Sequence, residues 1–286
     1  MSEGHPARWP TSWPRIRGLS AGSTHKTIYM RVAERFRVLL PPIEEQRRIA
    51  AILDKADELR AKRRAALAHL DTLTQSIFLE MFGDWGRSSR WPLQRLNDVV
   101  ADVRIGPFGS SLHNSDYASN GVPVVNPMHI SDGQIMPDPR HAVGHTKAKE
   151  LGRWRQNVGD VVLGRRGEMG RCAVVTEQEA GYLCGSGSMV IEPNPRAVVP
   201  SVLQGILSSD RGVSDLTAVA QGVTMLNLNS TVVRALRVPV PPLDVQLRFV
   251  VVVDKAEQSK SAAQESQLAL DALFASLQQR AFAGEL

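Results

Sequence analysis

The stretch Pro41-Pro42-Ile43-Glu44-Glu45-Gln46-Arg47-Arg48-Ile49-Ala50-Ala51-Ile52-Leu53-Asp54-Lys55-Ala56 recurs in diverged form in this chain of 286 residues. Its second copy is Pro241-Pro242-Leu243-Asp244-Val245-Gln246-Leu247-Arg248-Phe249-Val250-Val251-Val252-Val253-Asp254-Lys255-Ala256, and the offset of 200 positions then holds without a gap. Leu70-Asp71, Leu73, Ser76 and Phe82 return as Leu270-Asp271, Leu273, Ser276 and Phe282. Repetition at a fixed offset marks one structural unit used twice. Each copy reads as a long helix. The proline pair imposes an extended entry. Glu44, Glu45 and Asp244 fall in the first turn, where the helix dipole favours acids. Ile52, Ala56, Leu59, Arg63, Ala66, Leu70, Leu73 and Ile77 follow a 4-3 spacing, a heptad seam with an arginine at one core position. The second copy keeps Val252, Ala256, Ala263, Leu270, Leu273 and Leu277, and places Ser259 and Ser266 in the seam. Gly83 and Gly284 suit helix C-terminal caps. A lone amphipathic helix is marginal in water, because its stability comes from packing its apolar face. Two helices with matching seams solve that by pairing with each other or with a second chain. The expected helix–helix interface is Ile52, Ala56, Leu59, Leu70, Leu73 and Ile77 against Val252, Ala256, Leu270, Leu273 and Leu277.

The match also runs upstream of the prolines, where Gly22-Ser23-Thr24 and Arg37-Val38 answer Gly222-Val223-Thr224 and Arg237-Val238. Between the copies the texture changes. Short apolar runs at 122–125, 158–163, 172–175 and 188–191 alternate with Gly, Pro and Asn turns, which predicts strands of a mixed α/β domain; 200–207 and 212–220 read as short helices. Two loops stand out. Gly106-Pro107-Phe108-Gly109-Ser110-Ser111-Leu112 is rich in turn residues and hydroxyls, and Gly164-Arg165-Arg166-Gly167-Glu168-Met169-Gly170-Arg171 carries three arginines between glycines. Glycine admits close backbone approach to a ligand, and arginine suits phosphate and guanine edges. The plainer reading of the second loop is a tight hairpin whose arginines pair with local acids such as Glu168.

The formal net charge is +5. It is distributed unevenly: residues 140–171 hold Arg140, Lys147, Lys149, Arg153, Arg155, Arg165, Arg166 and Arg171 against Glu150, Asp160 and Glu168. Clustered cations of this kind fit a polyanion partner. Hydrophobic content of 43% and charged content of 22% are those of a globular chain able to bury a core. The run 249–253 is far short of the roughly 20 residues needed to span a bilayer. The N-terminus lacks the apolar segment of a secretory signal. Cys172 and Cys184 are too few for a disulfide framework or a four-cysteine zinc site, and read as reduced thiols of a cytoplasmic protein. Catalytic signatures are missing. There is no GxxxxGK[ST] loop, no GxGxxG after a strand and no HExxH. Asn126-Pro127-Met128 and Asn194-Pro195-Arg196 lack the second proline and the aromatic of an aminomethylase element. His113, His129, His141 and His145 read as scattered rather than as ligands.

The combination resembles the specificity (S) subunits of type I restriction–modification systems. The strings that carry the resemblance are 41–50 with its continuation to Phe82, 241–246, and in order the Gly106–Leu112 loop, the 121–125 strand, 159–171 and 222–229. It covers about residues 20–286. The resemblance implies an α/β fold: one mixed α/β target-recognition domain flanked by two long repeated helices that form an antiparallel coiled-coil-like stalk. The expected parts are a tail of a missing upstream recognition domain at 1–36, a first helical repeat at 37–84, the recognition domain at 85–236 and a second repeat at 237–286. Residues 1–19 match nothing. Full-length members carry two recognition domains, so this chain resembles a half-length or truncated form. The implied role is non-catalytic, sequence-specific binding of double-stranded DNA that directs methyltransferase and restriction subunits to a site. Cofactors are then expected only on the partner subunits, which would use S-adenosylmethionine, ATP and Mg. Expected DNA-binding residues are Arg165, Arg166, Arg171, Lys147, Lys149, Arg153 and Arg155, with Ser110 and Ser111 as hydroxyl donors. Further partners are a second copy of the chain or another half-length S subunit, and no membrane. The competing readings are a self-contained DNA-modifying enzyme with an unrecognised site, or a non-functional remnant.

Overall fold

The computed structural model describes residues 30–33, 41–85, 89–222, 226–283 and 285. The tail expected at 1–36 therefore lies outside the described residues, except for the helical turn Met30–Ala33 (α1). So do residues 37–40, 223–225, the expected cap at Gly284 and the side chain of Ser110. The chain falls into two compact units, one of Met1–Asp71 with Glu257–Leu286 and the other of Thr72–Ala256.

The repeated stretch opens two helices of nearly equal length, α2 (Ile43–Phe82, 40 residues) and α8 (Leu243–Ala283, 41 residues). Each is about 60 Å long at ~1.5 Å per residue. Both begin the same way. The Gln46 amide NH₂ donates to the Pro41 carbonyl at 2.7 Å, and that of Gln246 to the Pro241 carbonyl at 2.8 Å. A glutamine five residues after the first proline thus satisfies a carbonyl that the non-helical entry leaves free. Helix α2 ends at Gly83, whose φ of +74° only glycine adopts without strain and whose N–H closes on Leu79 O at 2.8 Å.

In the first unit Arg60 donates to Asp271 at 2.6 Å and lies 4.4 Å over the Phe274 ring. In the second, Phe78 and Phe82 meet Phe249 with ring centroids 5.8 and 5.1 Å apart. Partners fall in α8 as positions rise in α2, so the helices pair antiparallel. The seam itself has a shifted phase. The more buried positions of α2 are Leu53, Ala56, Arg60, Arg63, Leu67, Leu70, Thr74 and Ile77, and those of α8 are Val253, Ala256, Lys260, Ala263, Gln267, Leu270, Phe274 and Leu277. These sets are the same positions 200 residues apart. Ala56, Leu70, Ile77, Ala256, Leu270 and Leu277 fall among these more buried positions, and Ile52 and Leu73 are half-buried at their margin. Leu59, Val252 and Leu273 are corrections: they are 44%, 43% and 51% exposed in this chain. Ser259 and Ala66 also face outward. The pattern misleads because the neighbouring positions are Arg60, Lys260 and Gln267. A hydrophobicity template rejects such residues, yet an arginine packs its stem and stacks its guanidinium on an aromatic ring.

The second unit is a mixed α/β domain. Strands β1 (Leu93–Arg95), β2 (Val100–Ile105), β3 (Tyr117–Val125), β4 (Ile130–Ser131), β5 (Gln134–Ile135), β6 (Ala142–Val143), β7 (Val161–Gly164), β8 (Cys172–Val174), β9 (Leu183–Cys184), β10 (Ser188–Pro193) and β11 (Arg237–Pro239) alternate with helices. These are α3 (Leu96–Val99), α4 (His145–Glu150), α5 (Pro200–Ser208), α6 (Asp210–Val219) and α7 (Ser230–Ala235). An antiparallel sheet of order β2-β10-β7-β8 carries the core. The apolar runs read from the sequence fall in β3, β7, β8 and β10, and the two short helices are α5 and α6. A second sheet of order β6-β3-β9 includes the parallel pair β3/β9, and β4-β5 and β1-β11 are two-stranded. The main core joins Leu163, Met189 and Ile191 of the sheet to Leu203, Ile206 and Leu216 of α5 and α6. Phe78 and Phe82 from the end of α2 and Phe249 from the start of α8 complete it, so the repeat helices are rooted in the domain by aromatic side chains.

Candidate nucleic-acid interface

The three-arginine loop is the turn of the β7–β8 hairpin, in which Leu163 pairs with Cys172. The plainer reading is thus half true of it: it is a hairpin, and Arg171 is tied to Glu168 by two hydrogen bonds. Arg165 and Arg166 are adjacent and do opposite things. Arg165 is 7% exposed; its Nε donates to Leu228 O at 3.0 Å and its Nη1 to Ser186 O at 2.9 Å. Its own N–H donates to Gly187 O and its carbonyl accepts from Leu228 N–H. The guanidinium is spent on joining three backbone segments, and burial lowers its pKa. The structure therefore corrects its expected place at the surface: Arg165 positions the site from inside. Arg166 is exposed, carries no ion pair among the described residues, and is held by a backbone bridge to Asn227.

Other loops lock onto this hairpin. A Cβ on Gly106 would run into the Gly185 carbonyl, and one on Gly185 into the Asn126 side-chain amide, so only glycine permits these approaches. Asn126 Oδ1 accepts from Gly187 N–H at 3.2 Å, Pro127 packs on Gly164, and Arg171 Nη1 reaches Ile130 O at 3.4 Å. Segments 106–112, 126–130, 164–171, 185–188 and 227–228 thus form one backbone-packed surface. The Asn126-Pro127 string, discarded in the sequence as a failed enzyme motif, is one of its clamps. Large apolar side chains stand on the rim: Phe108 is 69% exposed and Met128 67%. Neither was among the expected contacts. Their signal was available only in part, as a phenylalanine inside a Gly-Pro-x-Gly turn.

The remaining cations form a second group on α4 and the turn after it. Lys147 lies between Asp116 and Glu150 at 3.6 and 3.5 Å. Arg155 donates to Gly181 O at 2.9 Å. Lys149 and Arg153 are exposed without ion pairs among the described residues, and Arg153 stacks 4.5 Å from the Trp154 ring centroid. Trp154 Nε1 donates to Ile105 O at 2.9 Å, which brings this group beside Gly106. Ser111 is half-buried in the turn Gly109–Ser111. Of the residues named from sequence, Arg166, Lys149 and Arg153 are free to meet a ligand; Lys147 and Arg171 already have acids, and Arg155 and Arg165 hold backbone.

The histidines are less scattered than the sequence suggests. His129, Asp138 and His141 have ligand-type atoms within 4.8 Å of one another. His129 Nδ1 and the Asp138 carboxylate are already engaged by other residues. Asn126 N–H donates to His129 Nδ1 at 3.1 Å, which leaves the neutral ring's proton on a buried Nε2. Arg140 grips both Asp138 oxygens, at 2.8 to 3.1 Å, and holds the carboxyl well below its usual range. Burial and then His141 lower the His129 pKa, which favours the neutral ring. The group fits a hydrogen-bonded packing cluster better than a cation site. Both cysteine thiols are fully buried, and burial pushes them up to about 12, the opposite of a reactive thiolate. No described helix is long and apolar enough to cross a membrane.

No protein-family model matches the chain. In sequence it is similar to a protein named as the type I restriction enzyme MjaX specificity subunit of Methanocaldococcus jannaschii, with 23% identity over 160 residues. That match covers 54% of this chain and 37% of the relative, so the chain spans little more than a third of the curated protein it matches. Solved structures share its fold. The HsdS subunit from Thermoanaerobacter tengcongensis aligns with a TM-score of 0.58 and 23% identity over 95% of this chain and 68% of its own. A chain from a structure of type I R-M complex assembly and conformational transition gives 0.62 and 23%, over 93% and 66%. The type I S subunit from M. genitalium gives 0.54 and 14%, over 95% and 70%. Both kinds of comparison bear out the resemblance that the repeated helices carry.

Proposed function

We propose that this chain, related by repeat and fold to the type I specificity subunits, is the non-catalytic DNA-reading subunit of such a system. The observation that carries the proposal is the surface built by five backbone-packed segments around Arg166, which has no ion pair among the described residues, set in a domain rooted on two repeated helices. Phosphate contacts from Arg166, Lys149 and Arg153 position the domain, while side chains on the rim meet base edges. The organisation is an upstream tail at 1–36, repeats at 37–84 and 237–286, and a recognition domain at 85–236. The outer faces of the helices dock methyltransferase subunits, and a restriction subunit joins them. S-adenosylmethionine, ATP and Mg belong to those partners, and the assembly is cytoplasmic.

Two copies of the chain, or this chain with another half-length subunit, supply the two recognition domains of a full-length member. Identical domains related by a dyad read an inverted repeat. The test is methylome sequencing of cells that express the chain with its methyltransferase. A gapped palindrome is the result expected of a homodimer, and a non-palindromic two-part motif that of a mixed pair. Absence of any methylated motif overturns the proposal, and transfer of labelled methyl groups to DNA by the chain alone overturns its non-catalytic part.

A further inference from the structure

We infer that Phe108 and Met128 are an apolar wedge that enters the bound duplex and opens a base step beside the phosphate-contacting Arg166; this rests on the DNA-reading proposal above. Three observations lead there. The two side chains are among the most exposed large hydrophobics of the second unit, at 69% and 67%. They are not loosely placed. Phe108 follows Gly106, whose N–H donates to Ser188 O at 3.1 Å, and its own carbonyl accepts from Ser111 N–H at 3.4 Å. Met128 sits in the short helical turn Pro127–His129, whose Asn126 and His129 ends cap each other. Both flank the Arg165-tied hairpin: Pro127 packs on Gly164, and Gly106 packs on the 185–188 segment that Arg165 grips. Water-facing hydrophobes carried on these turns cost the free protein solvation without any return in its own core. They match a partner with apolar faces reached between charged rails. A duplex fits: phosphates outside for Arg166, stacked bases inside for Phe and Met, the residue types that unstack steps and kink DNA.

The experiment uses the full chain with its methyltransferase partner and the duplex recovered from a random-sequence library by binding to that complex. 2-Aminopurine is placed at each position of the site in turn. Wild type is expected to raise the fluorescence several-fold at one or two adjacent positions. Phe108→Ala should abolish that rise and weaken binding about tenfold, Phe108→Leu should keep part of both, and Met128→Ala should show a smaller loss. The salt slope of Phe108→Ala should equal that of wild type, since no phosphate contact is removed. Thermal unfolding of each variant separates loss of fold from loss of contact: an unfolded Phe108→Ala shifts the decision to Phe108→Leu and Met128→Ala. Bound DNA with flat fluorescence at every position, or variants that bind as wild type, overturns the wedge and leaves the DNA-reading proposal standing. A complex that retains no duplex from the library overturns both.

Discussion

The two copies of the repeated stretch begin with the same motif and use it differently. Gln46 is half-buried, and among the described residues it makes one side-chain bond, to Pro41 O. Gln246 is fully buried and makes three. Its NH₂ donates to Pro241 O and to Ala197 O at 2.9 Å, and its Oε1 accepts from Val199 N–H at 2.8 Å. Three positions on, the first copy carries Ile49, half-buried, and the second Phe249, 2% exposed in the aromatic cluster. The bond to the proline carbonyl belongs to the motif itself. The bonds to 197 and 199 belong to the domain. The motif is therefore a helix start that doubles as a socket, and comparison of the copies separates the two roles.

The largest expected effect breaks that comparison most directly. Gln246→Ala leaves the part-buried Val199 N–H and Ala197 carbonyl and the buried Pro241 carbonyl without their partner, and should cost about 3 kcal/mol of stability. Gln46→Ala loses one partly solvated bond, and should cost about 1 kcal/mol. Urea unfolding of both variants measures the difference. Equal costs would show that the socket role is shared or absent.

The next comparison is between neighbours on the hairpin. Arg165→Ala removes a buried guanidinium that three backbone segments depend on, and should destabilise the chain by about 2–3 kcal/mol, with DNA binding lost in consequence. Arg166→Ala should leave stability within about 0.5 kcal/mol and lower the salt slope of DNA binding by about one unit. Denaturation curves and binding at several salt concentrations check both. A folded Arg165→Ala that binds like wild type would remove Arg165 from the site altogether.

These cases show what the sequence could and could not reveal. The repeat announced two helices and their length, and the family resemblance added their antiparallel partnership, because an ungapped offset and a proline-glutamine start survive any tertiary context. Strands β3, β7, β8 and β10 were legible as short apolar runs between turn residues. The seam phase was not, since Arg60, Lys260 and Gln267 are polar residues that a hydrophobic template excludes, although they are half-buried here. Nor was the division of labour between Arg165 and Arg166. Two adjacent arginines in a glycine-bounded turn are equivalent as symbols, and only the carbonyls of Ser186 and Leu228, 21 and 63 residues downstream, distinguish them. The interlocking of Gly106, Gly185 and Asn126 was hidden for the same reason, being a contact between backbones remote in sequence.

A smaller effect tests the corrected seam. Arg60→Ala should lower stability by about 1–2 kcal/mol through loss of the Asp271 bond and the stacking on Phe274, whereas Leu59→Ala, at an exposed position, should change it by less than about 0.5 kcal/mol. The reverse order would restore the seam that the hydrophobic pattern alone suggests.

The smallest effect is a pH dependence in the same ion pair. The Gln267 hydrogen bond first, and then the Arg60 guanidinium, hold the Asp271 carboxyl below its usual value. A carboxylate depressed in the folded state contributes stability that is complete above its unfolded pKa, near 3.9, and disappears as the pH falls through the lower folded value. The stalk contribution should accordingly be flat from neutral pH down to about 5, and should decline below about 4. Because the carboxylate is well exposed, the decline should be modest and should shrink further in high salt. Asp271→Asn keeps the hydrogen-bonding shape without the charge. Its unfolding midpoint should lie slightly below wild type at pH 7 and approach it as the pH falls below the unfolded carboxyl value. Parallel curves across that range would show that Arg60 is held by Phe274 and Asp57 alone, and that the charge on Asp271 adds nothing to the pairing.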